Sequence, residues 1–277
     1  MKKLLLYVVV QIFMITSNRE VLAQVLKPEQ KRIISFYNCE NYYDTIDQKN
    51  ILDEEFTPNS AKAYNKTIFK LKRKQIAQTI HELGKQEQQD GISLIGLVEI
   101  ENKYVLEELV KDSLIQKYHY KIIHFDSKDY RGIDVALLYH PIHFVPYQYK
   151  PISLSIKNHQ TDFPTRDILY VKGQLDQQWV HILVNHWPSR RGGASTSEKR
   201  RLWASEVAKV FIDSLKMTDP EANIIMMGDF NDNPSDRSLL NIPLQNPFFK
   251  LFKKGYGSLA FNDQWSLFDQ VLISDAL

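Results

Sequence analysis

The stretch Ile168-Leu-Tyr-Val-Lys-Gly-Gln-Leu-Asp-Gln-Gln-Trp-Val-His-Ile-Leu-Val-Asn-His186 decides the fold. It reads as two strands, over 168–175 and 179–186, rich in β-branched and aromatic residues. The few polar residues between them leave no room for a helix. Upstream, 120–125 and 135–139 also read as strands. The whole of 120–186 therefore lacks the crossover helices that a parallel sheet requires. Helical spacing appears on either side of it. An amphipathic helix is expected over about 61–83, with Phe69, Ile76, Ile80 and Leu83 on one stripe. A short helix opens at Glu101, which reads as its solvated cap, and a third starts near Ser195 and carries Trp203, Val207, Phe211 and Leu215. Strands at 32–37, 92–98, 222–228 and 270–273 complete the pattern. The expected class is α+β, often classed α/β: two packed mixed β-sheets flanked by helices, a four-layer sandwich.

The first residues do not belong to that core. Lys2-Lys3, an apolar run from Leu4 to Ile15, and Val21-Leu-Ala23 read as a leader cleaved after Ala23. This implies export to a periplasmic or extracellular space. The run is shorter than the ~20 residues a spanning helix needs, and no later stretch of the mature chain is apolar enough to span. From residue 24 onward there is no repeat or linker, so 24–277 reads as one domain. Without residues 1–23 the chain has 32 basic and 32 acidic residues (35 less Lys2, Lys3 and Arg19; 33 less Glu20). That balance speaks mildly against processive DNA binding and leaves a local basic rim open. Cys39 is the only cysteine, which excludes an internal disulfide and marks it as a small core residue.

Chemistry-bearing residues fall at strand ends. Ile224-Ile-Met-Met-Gly-Asp-Phe-Asn231 presents Asp229 and Asn231 two residues apart, on one face if the backbone stays extended. The run is not a calcium loop, because Pro234 and Leu240 stand where a Gly and a bidentate Glu are needed. Glu99 follows the apolar run 92–98, and a carboxylate there is costly unless paired or metal-bound. Asn38 ends the first strand. His186 ends another and is followed by Trp187-Pro-Ser-Arg-Arg-Gly-Gly193, where Arg190 and Arg191 are candidates for phosphate contact. His119 and His124 have zinc-finger spacing but no cysteine pair, so the match is treated as chance.

Taken in order, Asn38, Val98-Glu99, Asn185-His186-x-x-Ser189, Gly228-Asp-x-Asn231 and Phe268-Asp269-x-Val-Leu-Ile-Ser274 resemble the endonuclease/exonuclease/phosphatase superfamily, the deoxyribonuclease I-like hydrolases. The resemblance implies a Mg²⁺-dependent phosphoesterase, with Mn²⁺ or Ca²⁺ as other candidate ions. It implies that Glu99 holds the metal with Asn38 close by, that Asp229 orients the attacking water, and that Asn231 meets a phosphate oxygen. His186 would stabilise the transition state or protonate the leaving oxygen. Asn185, Ser189, Arg190 and Arg131 (of Tyr130-Arg-Gly-Ile-Asp134) would contact substrate. The expected partner is a phosphodiester substrate, nucleic acid among the candidates, bound by a monomer.

One departure stands out. The family pattern closes with Ser-Asp-His on a later strand, its histidine oriented by an aspartate like Asp269. Here Ser274-Asp275-Ala276 has no imidazole. The expectation is a domain lacking its C-terminal portion, with poor activity. Endonuclease-like hydrolysis leads the readings. A small-molecule or lipid phosphodiesterase or phosphatase and a non-catalytic binding protein are the alternatives; the lipid reading would use Phe248-Phe249-Lys-Leu-Phe252 to dock, a segment that reads first as core.

Overall fold

The structure is a computed structural model that describes residues 31–85, 90–154 and 164–277. The expected leader lies outside these residues. Among the described residues no helix is long and apolar enough to cross a membrane.

Two mixed sheets form the centre. In the first, β1 (Ile34–Tyr42) runs parallel to β2 (Leu94–Ile100), which pairs antiparallel with β4 (Asp134–Tyr139), and β4 with β3 (Lys121–His124). In the second the order is β11 (Asp269–Ile273), β8 (Ile224–Asp229), β7 (Gln178–His186), β6 (Ile168–Leu175) and β5 (Phe144–Ile152). Only β7 and β8 are parallel there, the other pairs being antiparallel. Strand β5 was not predicted. It carries Pro146 and Pro151 and is mostly exposed. Its alternation of Val145, Tyr147 and Tyr149 with polar residues is interrupted by those prolines, which an edge strand tolerates and a central one does not.

Alternation along each strand divides the core into three layers. Leu94, Val98, Val135, Leu137, Ile182, Val184, Ile225, Met227 and Val271 point between the sheets. Ile95, Leu97, Ala136 and Leu138 face outward against α1 (Lys66–Lys85) and α2 (Lys103–Val110). Leu183, Ile224, Met226 and Leu272 face outward against α3 (Ala194–Thr218). Helix α1 starts at Lys66 rather than near residue 61 because the Asn65 side chain caps it, accepting from the Thr67 and Ile68 amides at 2.9 and 3.2 Å. Two short helices, α4 (Arg237–Leu240) and α5 (Phe248–Lys253), and a hairpin, β9 (Leu259–Phe261) with β10 (Gln264–Ser266), lie between β8 and β11. Phe248 is buried, and Leu251 and Phe252 pack on the inter-sheet core, so this segment is structural rather than a docking loop.

Gly228 is required where β7 and β8 meet. A Cβ there would lie 2.3 Å from the Asn185 carbonyl oxygen, a backbone atom that cannot yield. Gly228→Ala is expected to destabilise the fold by ~1–3 kcal/mol, the usual cost of overpacking, read as a lower denaturant midpoint with an unchanged slope.

Candidate active site

The inner-face register that builds the inter-sheet core also builds the site, one inner-face step (two residues) beyond its last apolar layer. Asn38 follows Ile34 and Phe36 on the inner face of β1, and His186 follows Ile182 and Val184 on β7. Asp229 follows Ile225 and Met227 on β8, and Asp269 precedes Val271 on β11. Pairing then aligns them, since Asp229 lies opposite His186 on one side and Asp269 on the other.

Glu99 reaches the same place by a different route. Simple alternation would turn it outward. The ladder slips between Val98 and Ile100, which face the adjacent residues Val135 and Asp134, and Glu99 adopts a left-handed φ of 59°. This bulge re-aims its carboxylate, a known use of bulges beside active sites. Its Oε1 lies 4.0 Å from His186 Nε2.

The Asp229 carboxylate is held at both oxygens. The Asn231 amide donates to Oδ1 at 2.9 Å and Asn38 Nδ2 donates to Oδ2 at 3.1 Å. The extended geometry expected through Asn231 does not occur. The strand stops at Asp229 and Asn231 takes a left-handed φ of 51°, so that hydrogen bond joins the two instead. Asn231 Nδ2 donates to the Trp187 carbonyl at 3.0 Å, leaving its second hydrogen for a ligand. Asn38 Oδ1 accepts from the Glu40 amide at 2.7 Å, so Asn38 bridges the β1 loop to Asp229.

Two groups that sequence reading passed over complete the wall. Arg166 is buried and donates to Asp129 Oδ2 at 2.9 Å and to the Trp187 carbonyl at 2.8 Å. Asp129 also accepts from the Arg131 amide at 2.9 Å, with the Arg131 Nε at 3.5 Å. The Asp129 carboxylate thus gathers both arginines near His186. The signal for Arg166 was the one used for Glu99, a charged residue abutting an apolar strand. Burial, reinforced by Arg166 and Arg131, holds His186 well below the usual imidazole range, so it is neutral at neutral pH. Its Nδ1 is buried without a hydrogen-bond partner among the described residues.

Other expected contacts fall elsewhere. Asn185 is fully buried on the opposite face of β7 from His186, donating to the Leu183 and Met227 carbonyls and accepting from Trp187 Nε1 at 3.1 Å. It braces the strand end and does not face substrate. Arg190 turns to the loop after β8, donating to the Asn231 carbonyl at 2.9 Å, Asp232 at 3.0 Å and Asp236 at 2.8 Å. Ser189 is half-buried between His186 and Arg190. Cys39 is buried and burial pushes its thiol up, which suits a core residue. His124 bonds Asp134 at 3.2 Å.

Glu101 is not the solvated helix cap the sequence suggested. Asn102 caps α2, accepting from the Val105 amide at 3.1 Å, while Glu101 is buried. It accepts from the Asp44 amide at 2.5 Å and Gln48 Nε2 at 2.7 Å, fastening the β1–α1 loop. Burial pushes Glu101 up to about 8 despite those donors. The folded state therefore holds a proton that the unfolded chain releases near 4.5, and stability should fall as pH rises from ~5 to ~8. Denaturant titrations at both pH values should show that fall in the wild type and a smaller one in Glu101→Gln.

Burial pushes Asp229 up to about 6, the Asn231 amide opposing this and the Glu99 charge adding to it. Burial and then the Asp229 charge push Asp269 well above the usual range, against a hydrogen bond from the Ser258 hydroxyl. Asp229 and Asp269, each raised by burial and by the Glu99 charge beside them, form with Glu99 a set of carboxylate oxygens that suits a hard divalent cation.

The sequence matches the Endonuclease/Exonuclease/phosphatase family profile over residues 33–277. No curated protein sequence matches the chain. Similar solved structures include a mannosyl-6-phosphatase of Bacteroides thetaiotaomicron, with a TM-score of 0.57 and 13% identity over 87% of this chain and 84% of that one. The human nocturnin catalytic domain gives a TM-score of 0.53 and 16% identity over 82% and 81% of the two chains. Truncated TDP2 of Caenorhabditis elegans gives 0.53 and 16% over 73% and 76%. The fold is the two-sheet sandwich these proteins share. The chain belongs to the endonuclease/exonuclease/phosphatase family.

Proposed function

We propose that this chain is an exported, Mg²⁺-dependent phosphoesterase acting on a small phosphoester. The observation that supports the chemistry is the convergence of Glu99, Asp229, Asp269 and His186 on one end of the inter-sheet core. Glu99 would hold the cation, with Asn38 beside it. The bound ion supplies charge neutralisation at the phosphoryl oxygens.

The chain's own groups do the rest. Ionised Asp229, fixed by two hydrogen bonds, accepts a hydrogen bond from the attacking water and aligns it. The free hydrogen of Asn231 Nδ2 donates to a phosphoryl oxygen. His186, neutral in the resting site, donates a hydrogen bond to the phosphoryl group instead of bringing a proton of its own. Arg131 and Arg166 add positive potential along one wall.

The substrate class follows from the loop cations. A nuclease needs a basic track beside the site, and the 190–201 segment, with Arg190, Arg191, Lys199, Arg200 and Arg201, is the candidate for it. The two residues at its ends, Arg190 and Arg201, instead pair with Asp232, Arg201 at 2.8 Å. We therefore favour a small phosphoester over duplex DNA. With Mg²⁺ at fixed ionic strength, kcat/KM should be higher for small phosphomonoesters or phosphodiesters than for duplex DNA, with a shallow salt dependence. Preferential cleavage of DNA, with KM rising steeply between 50 and 200 mM salt as ~6–10 phosphate contacts demand, would restore the nuclease reading.

A further inference from the structure

The opposite end of the sandwich carries a second group of metal-ligating side chains. Leu94 at the start of β2 pairs with Tyr139 at the end of β4, so Ser93 and His140 lie six residues, ~20 Å along an extended strand, from the level of Glu99. The turn His140-Pro-Ile-His143 joins β4 to β5 and is closed by the His143 amide donating to the His140 carbonyl at 3.1 Å. It places two buried imidazoles side by side, ring centres 4.1 Å apart. The Asp90 carboxylate lies 3.0 Å from His143 Nε2, and His143 Nδ1 meets Ser93 Oγ at 3.0 Å.

We propose that Asp90, His140 and His143 form a second cation site, for a borderline transition-metal ion such as Zn²⁺, separate from the catalytic carboxylates. One ligand atom from each lies within 4.8 Å of the other two. A tetrahedral ion with bonds of ~2.0–2.2 Å would draw them to ~3.4 Å of one another. The Ser93 hydroxyl, fully buried, can accept from His143 Nδ1 and so leave Nε2 as the ligand, the support that metal-bound histidines commonly have. Burial of Ser93 also rules out a nucleophilic reading of the Ser–His–Asp chain. A bare hydrogen-bond relay would need only Ser93, His143 and Asp90 and gives His140 no task. Yet His140 is buried beside them, held at Nδ1 by one long 3.3 Å bond from the Ile142 amide. Two nitrogen donors favour Zn²⁺ or Co²⁺ over Mg²⁺. His140 and Asp90 also line a cavity of about 530 Å³, which gives an ion its entry path and room for exchangeable ligands.

The rings are stacked within 16° of parallel, so one ion cannot lie in both ring planes. Binding therefore turns His140 out of the stack. The test is titration of the tag-free full chain with Co²⁺, followed by its visible absorption, in a Glu99→Gln background that weakens the catalytic site. One equivalent should bind with a nitrogen-ligand spectrum. Asp90→Asn and His140→Ala, added separately, should each weaken it by at least ~10-fold, the lower end of what losing a supporting group alone costs. Asp90 is largely exposed, so its substitution leaves the core intact, as an unchanged melting curve would show. No Co²⁺ bound by the chain, or an affinity unchanged by either substitution, would overturn the assignment.

Discussion

Asp229→Asn is expected to lower kcat by at least ~10²-fold, the cost of misplacing an attacking group by about 1 Å, in a protein that stays folded. The substitution preserves shape and removes a charge that burial and Glu99 already disfavour, so the melting temperature should hold or rise. Burial pushes Asp229 up to about 6 in the metal-free site and a bound cation draws it back down, so wild-type activity should fall on the acid side of 6 as the carboxylate takes up a proton. That acid limb should disappear from the residual activity of the variant. A variant as active as wild type, with the same limb, would place the water-orienting group elsewhere.

Asp232→Ala should have the largest effect on stability. Its buried carboxylate forms an ion pair with the Arg201 guanidinium, Nε at 2.8 Å, and accepts hydrogen bonds from Ser238 Oγ at 2.7 Å and Arg190 at 3.0 Å. Removing it strands the buried Arg201 guanidinium without its counter-charge, at a cost of ~3–5 kcal/mol. At ~2–4 °C per kcal/mol, the melting temperature should drop by at least ~6 °C. Arg190 would also lose an anchor to the loop carrying Asn231, so KM should rise. Arg190→Ala, removing the more exposed partner, should cost much less. Equal losses from both substitutions would mean that the Arg201 pair contributes little.

How much of the site was legible follows from strand geometry. Asn38, His186, Asp229 and Asp269 each extend the inner-face alternation of an apolar strand, so sequence alone placed them together. The same rule excludes Asn185, because a strand neighbour of His186 must face the other way, and the structure buries it there. Glu99 breaks the rule through a bulge that no local pattern announces. Glu101, Arg166 and Asp129 depend on long-range packing. Glu101 is buried only because a loop bonded from Asp44 and Gln48 folds over it. Strand β5 and the β9–β10 hairpin are not legible in the sequence because prolines interrupt the first and the hairpin strands are only three residues each.

The most direct test is hydrolysis of bis(4-nitrophenyl) phosphate by chelator-treated protein as Mg²⁺ is added back, in wild type and in Glu99→Gln. The account expects no turnover without the cation, recovery with it, and a Mg²⁺ requirement at least ~10-fold higher in the variant. Full turnover in excess chelator, or identical Mg²⁺ curves for the two proteins, would contradict it.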